Sequence, residues 1–267
     1  MNPNWLGVIS AILAFVAFSV TYRTAIKSKI KTRLLLAALA IMLAIPGASF
    51  AAYYAHLLPE PGWYYEFRSI PGTELLIVFI GIAGGMIASV LPRAWLILPL
   101  FGVAAFSIAP ISKSLFKPIP TGTLSNKWHD GVCLQSTPST CGAASVATIL
   151  TTLGQATTEA ELAAEAYSYT GGTEAWYLAR AARKRGFDVR FVCASRFAPD
   201  ATFPSLVGVR LGSIGHFIAI LQRDGDRFLI GDPLRGPESL SRDELLQRYH
   251  FTGFFMAIEP EPKGNGR

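Results

Sequence analysis

The chain has 267 residues, of which 51% are hydrophobic and only 16% charged, with a mean hydropathy of +0.37. Soluble proteins carry charge on about a quarter of their residues, so this composition argues against a wholly soluble chain. The net charge is +6, but no basic stripe with interleaved aromatics accompanies it, which argues against a nucleic-acid partner.

The charge is unevenly spread. Residues 1–112 hold 7 Lys/Arg and 3 Asp/Glu, whereas residues 113–267 hold 17 and 15. Crossing about 30 Å of hydrocarbon takes about 20 apolar residues in a helix, and residues 5–22, 34–54, 75–91 and 94–111 qualify as four spans of a transmembrane domain, 1–112. Pro46 and Pro99 fall inside two of them, and membrane helices tolerate proline where neighbours satisfy the freed carbonyl. The start, "MNPNW", lacks the basic region of a cleaved signal peptide. Arg23, Lys27, Lys29, Lys31 and Arg33 crowd one short loop, with Arg93 on the same side. By the positive-inside rule both termini then face away from the cytoplasm, across what is expected to be a cell inner membrane. "PGWYYEF" at 61–67 becomes an external aromatic loop, either a belt at the lipid surface or a substrate contact.

Residues 113–127 read as a linker, and 128–267 as an ordinary globular domain. Its length, roughly 150 residues with the linker, suffices for one core. A helix from Cys141 to about residue 153 is ended by Gly154. Thr158 with Glu161 makes a capping box before a second helix, to about Tyr167. A third helix runs over 174–185 and is closed by Gly186. The period then changes to that of strands, at 188–194, 205–211, 216–222, 227–232 and 254–259, with an Asp224-Gly225 hairpin signal and a second capping box, Ser241 with Glu244. Helices followed by a largely antiparallel sheet predict an α+β domain.

The stretch "CLQSTPSTCGAASVATIL" at 133–150 raises the question of chemistry. Cys141 opens a helix that Ser139 or Thr140 can cap, so the helix dipole favours a thiolate, and the free Cys141 amide points where an oxyanion would form. Gly142, Ala143 and Ala144 leave room for a narrow substrate and for the sheet, and Gln135 can offer a second oxyanion donor. Of the four histidines, His56 sits near the membrane boundary, His129 in the tether, and His250 among aromatics as a packing residue. His216 opens a strand, and Asp232 ends the next one across the hairpin, which places a carboxylate beside an imidazole. Singly, each is more commonly a core histidine or a turn aspartate. Together, nucleophile, base, orienter and donor predict a thiol triad. Cys133 and Cys193 either pair in an oxidising compartment or are two small buried side chains.

"LQSTPSTCGAASVATIL", "GGTEAWYLARAARKRGFDVRFV", "GHFIAIL" and "FLIGDP" resemble the papain-like double-glycine leader peptidases, cysteine peptidase family thirty-nine, over residues 128–258. Members process bacteriocin and pheromone precursors and often form the front of peptide-exporting ABC transporters. The resemblance implies a papain-like fold, Cys141 as nucleophile, His216 as base, Asp232 as orienter and Gln135 as oxyanion donor. It implies a peptide or protein precursor as substrate, cut after a Gly-Gly-like leader, with no cofactor or metal. The chain departs from the family in having Thr140 where an acidic residue is usual. No P-loop occurs in it, and the domain follows four spans instead of preceding six, so an export transporter would be a separate partner alongside the lipid bilayer. A peptide-binding module with the same fold and a thiol acyltransferase are the two other classes these residues would fit.

Overall fold

The computed structural model describes residues 3–55, 57–194, 196–198 and 201–261. His56 and the last six positions of the expected globular domain lie outside them. The chain divides into two compact units, one comprising Pro3–Glu60 and Pro71–Lys117, the other Pro61–Ile70 together with the chain from Pro118 onward.

The first unit holds α1 (Trp5–Ala25) and α2 (Ile30–Tyr54). The short α3 (Gly62–Ser69) belongs to the second unit, and α4 (Ile77–Val90) and α5 (Ile97–Phe116) complete the first. With the 3-10 turns that precede α4 and α5, four helices of mean hydropathy 2.0 to 2.3 are long and apolar enough to cross a membrane. Helices in lipid associate through small residues that let backbones meet, and α4 is built that way. A Cβ on Gly81 would lie 1.9 Å from the Ala14 carbonyl oxygen, and one on Gly85 would lie 2.6 Å from that of Phe18. Leu35, Met42, Leu43 and Phe101 face outward. Arg33, one of the five cations of the 23–33 loop, donates to the Ser89 carbonyl at 2.9 Å, satisfying a group at the end of α4. Pro99 lies in the first turn of α5, where its missing N–H leaves no bond unmade, and Pro110 is the interior proline of that helix.

The second unit begins with a hairpin, β1 (Lys127–His129) and β2 (Val132–Leu134), turned by Asp130 and Gly131 at φ 45° and 82°. Then come α6 (Cys141–Thr152), α7 (Glu159–Glu165) and α8 (Ala175–Arg183). The strands β3 (Phe187–Cys193), β4 (Ser205–Leu211), β5 (Ile214–Asp224), β6 (Arg227–Asp232) and β7 (Gly236–Ser241) follow, then α9 (Arg242–Arg248) and β8 (His250–Pro260). The sheet runs β3-β8-β4-β5-β6-β7, and every neighbouring pair is antiparallel. This is the expected α+β class. Both capping boxes form, Thr158 with Glu161 and Ser241 with Glu244. The second helix stops at Glu165, and Tyr167 takes φ 53°. β7, "GPESLS", escaped prediction because it is an edge strand with a proline and no apolar alternation.

The largest departure concerns residues 61–67. In place of a free external loop, they form α3, which packs on α8 and β3. Tyr64 is 1% exposed and meets Trp176 edge-on, while Tyr65 stacks on Phe191 at 5.2 Å. The Glu66 carboxylate accepts from Arg183 at 2.6 Å and from the Phe191 amide at 3.0 Å, which satisfies an edge-strand donor. Tyr64 and Tyr65 are packing residues of the globular unit, whereas Trp63 stays exposed. Truncating a large buried aromatic costs about 3–5 kcal/mol. Tyr64→Ala is therefore expected to lower the thermal midpoint of this unit markedly, whereas replacement of the 64%-exposed Trp63 leaves it nearly unchanged. Equal effects of the two changes would show that α3 is not part of the core.

Candidate active site

α6 is built largely of small and apolar residues, and every residue from Cys141 to Leu150 is buried. Its small residues permit a close approach to β5 and α8. A Cβ on Gly142 would lie 2.9 Å from Leu178 and 3.3 Å from Phe217. Ala143 is fully buried. Gly142 thus makes the expected room for the sheet, and for α8 as well. Ser145 Oγ donates to the Phe217 carbonyl at 3.2 Å, fixing α6 against the strand that carries His216.

Cys141, 7% exposed, is the first residue of α6. Thr140 occupies the N-cap position but makes no side-chain capping bond, contrary to expectation. Its hydroxyl bonds back to Thr137 at 3.1 Å, and Ser139 Oγ accepts from the Gly171 amide. The first amides of α6 are left without a side-chain cap.

The antiparallel β5–β6 pairing brings His216 to Asp232, with Nε2 donating to Oδ1 at 3.0 Å. Cys141 opens α6, which packs on β5, and it interacts electrostatically with the same ring. With Nε2 on the carboxylate, Nδ1 is the nitrogen left for sulfur. Burial disfavours charge on His216, but hydrogen bonds to Asp232 and Cys141 and the charges of both outweigh it, and the imidazole is pushed up to about 9. Burial also opposes ionisation of Asp232, yet donation by His216, the Leu234 amide and Tyr249 holds its carboxyl below the usual range.

Gln135 is set beside this group by its own amide, which donates to the Pro233 carbonyl at 2.9 Å, one residue beyond Asp232. Its Nε2 donates to the Thr137 carbonyl at 2.8 Å, which leaves a second N–H. Its buried Oε1 has no protein partner among the described residues. Two supporting groups escaped the sequence reading. Glu159, fully buried, accepts from the amide and hydroxyl of Ser136, which anchors the Gln135 loop. Tyr249 Oη donates to Asp232 Oδ2 at 2.8 Å. Neither stands in a periodic pattern that points at the site.

The remaining candidates lie apart from this cluster. His129 is exposed on β1 beside Asp130. His250 is exposed, contrary to its expected packing role, and lines a groove with Arg210, Gly212, Phe251 and Thr252. Cys133 is a free thiol, so it is not bridged to Cys193. Cys133 is buried, and burial together with the Glu159 charge pushes its thiol up to about 12, whereas Cys193 is exposed.

The family model described as "Peptidase C39 family" matches residues 130–263. An uncharacterized protein of Methanothermobacter thermautotrophicus is 33% identical over 128 residues, covering 48% of this chain and 87% of that one. Another, of Methanothermobacter marburgensis, is 32% identical over 127 residues with the same coverage. Among solved structures, the peptidase domain of Streptococcus ComA, a bi-functional ABC transporter involved in quorum sensing, is 24% identical. It is matched over its whole length and 50% of this chain, with a TM-score of 0.43. A double glycine motif protease from an AMS/PCAT transporter, solved with its leader peptide, is also 24% identical. There the match covers 48% of this chain and 90% of that one, with a TM-score of 0.41.

Proposed function

The chain belongs to the peptidase C39 family, and from that premise we propose that it is a membrane-anchored cysteine endopeptidase that cuts a peptide precursor after a Gly-Gly-like leader. The observation that carries the reading is the buried cluster in which Asp232 bonds to His216 and Cys141 interacts with the same ring.

In the proposed reaction Cys141 gives its proton to His216, and Asp232 holds the resulting imidazolium in place. The thiolate attacks the scissile carbonyl. The oxyanion takes hydrogen bonds from the Cys141 amide, at the start of α6, and from the second N–H of Gln135. Collapse breaks the C–N bond as His216 protonates the leaving amine, leaving a thioester on Cys141. Water, deprotonated by His216, then attacks the thioester, releases the acid and restores the thiol. Because the imidazole is pushed up to about 9, the protonated ring that must deliver a proton to the leaving amine is favoured at neutral pH.

The same reading places the peptidase unit on the extracytoplasmic side, supported by the five cations of the 23–33 loop. One experiment addresses specificity and side together. Sealed right-side-out membrane vesicles are given a fluorogenic peptide with Gly-Gly before the scissile bond, beside an otherwise identical Leu-Leu peptide. Cleavage of the Gly-Gly peptide alone, without detergent, is the expected result. Cleavage only after detergent would put the unit on the cytoplasmic face, and equal cleavage of both peptides would remove the leader preference.

A further inference from the structure

Asp232 is a fully buried carboxylate at the end of β6, and such a group is stable only when its lone pairs are occupied. Its Oδ1 accepts from His216 Nε2 at 3.0 Å and from the Leu234 amide at 2.9 Å. Its Oδ2 accepts from Tyr249 Oη at 2.8 Å, and the half-exposed Arg235 guanidinium stands 3.8 Å away. Without Tyr249, Oδ2 would keep only that distant cation. Tyr249 is itself tightly held. It follows α9, its amide donates to the Leu245 carbonyl at 2.9 Å, and its ring is 1% exposed within a core that includes Phe228, Ile230 and Leu245. The hydroxyl therefore has one place to go.

We propose that Tyr249 is a positioning residue for the Cys141–His216–Asp232 group: its hydroxyl fixes the plane of the Asp232 carboxylate and so keeps Oδ1 on His216. Tyr249 gains this role from packing distant in sequence from the triad, since the carboxylate is gripped from the α9–β8 junction as well as from β5. Burial and the Asp232 charge push the Tyr249 phenol above its ordinary range, which keeps it a donor. The ionisable groups facing this site are Cys141 from α6, His216 from β5, Arg235 after β6 and Glu238 from β7.

Any contribution of Tyr249 to turnover rests on the peptidase reading, but the positioning itself is read without substrate. The experiment titrates His216 by NMR in full-length, histidine-labelled protein in micelles, with its resonance assigned by its loss in His216→Ala. Tyr249→Phe keeps the ring and removes only the hydroxyl. Displacing Oδ1 weakens the Asp232 contact that favours the charged ring, so His216 is expected to titrate lower in Tyr249→Phe, by roughly one unit for loss of a charged hydrogen bond to the ring itself. Asp232→Asn should lower it further, and adding Tyr249→Phe to Asp232→Asn should then change nothing. A merely structural tyrosine would lower the thermal midpoint and leave the titration of the folded protein in place. Titration of Tyr249→Phe like wild type, or a further shift in the double variant, overturns the proposal. Failure of the peptidase reading shows elsewhere, as full cleavage by Cys141→Ala with the His216 shift intact.

Discussion

Cys141→Ala is expected to abolish peptide cleavage, by roughly 10⁴- to 10⁶-fold, because members of such a triad act as a unit. The change should leave the fold in place. Cys141 contributes one sulfur at the start of a helix whose packing is carried by Gly142, Ala143, Val146 and Ile149, all of them buried. Cys141→Ser is expected to be nearly as inactive, since a hydroxyl beside an imidazole placed for a thiol remains protonated at neutral pH. The measurement is cleavage rate beside the thermal midpoint of the purified full-length protein. Wild-type cleavage by Cys141→Ala would rule out thiol catalysis here.

His216→Ala should be as damaging as loss of Cys141, with Asp232→Asn milder and Gln135→Ala lowering the rate by about 10²- to 10³-fold if it supplies an oxyanion donor. His250→Ala should be neutral, since that exposed side chain lies in a separate groove. The pH dependence follows from the imidazole being pushed up to about 9. Its proton is needed for the leaving amine, so the rate should fall as pH rises through about 9. Stability follows the same sign. A raised pKa contributes stability that is fully present below the unfolded value, about 6.5, and is lost as pH rises through about 9. The depressed Asp232 contributes stability present above the ordinary aspartate range and lost as pH falls below it. A fully active His216→Ala, or an inactive His250→Ala, would reassign the base.

The elements with strong periodicity were legible in the sequence. The apolar runs, the helix of "CGAASVATIL", the two capping boxes and the hairpin all follow from local pattern, and the hairpin brings His216 to Asp232. What was not legible depends on contacts between distant segments. Nothing local in "GWYYEFRS" says that Glu66 will meet Arg183 and Tyr65 will meet Phe191 more than a hundred residues away. Gly142 was legible as room for the sheet, but nothing local says that Leu178 of α8 shares that room. Thr140 looked like a cap because threonine favours that position, yet Thr137 competes for its hydroxyl. Glu159 and Tyr249 reach the site through hydrogen bonds, two to Ser136 and one to Asp232, that no spacing announces.

The claim on which the account stands is that Cys141, alone of the three cysteines, is activated, and that His216 activates it. The most direct measurement treats membranes holding the full-length protein with a Gly-Gly peptide carrying a thiol-reactive electrophile, then locates the adduct by mass spectrometry. The account predicts modification at Cys141 near neutral pH, strongly reduced by His216→Ala, with the exposed Cys193 labelled slowly and the buried Cys133 not at all. Labelling that favours Cys193, or that proceeds at Cys141 unchanged in His216→Ala, would contradict it.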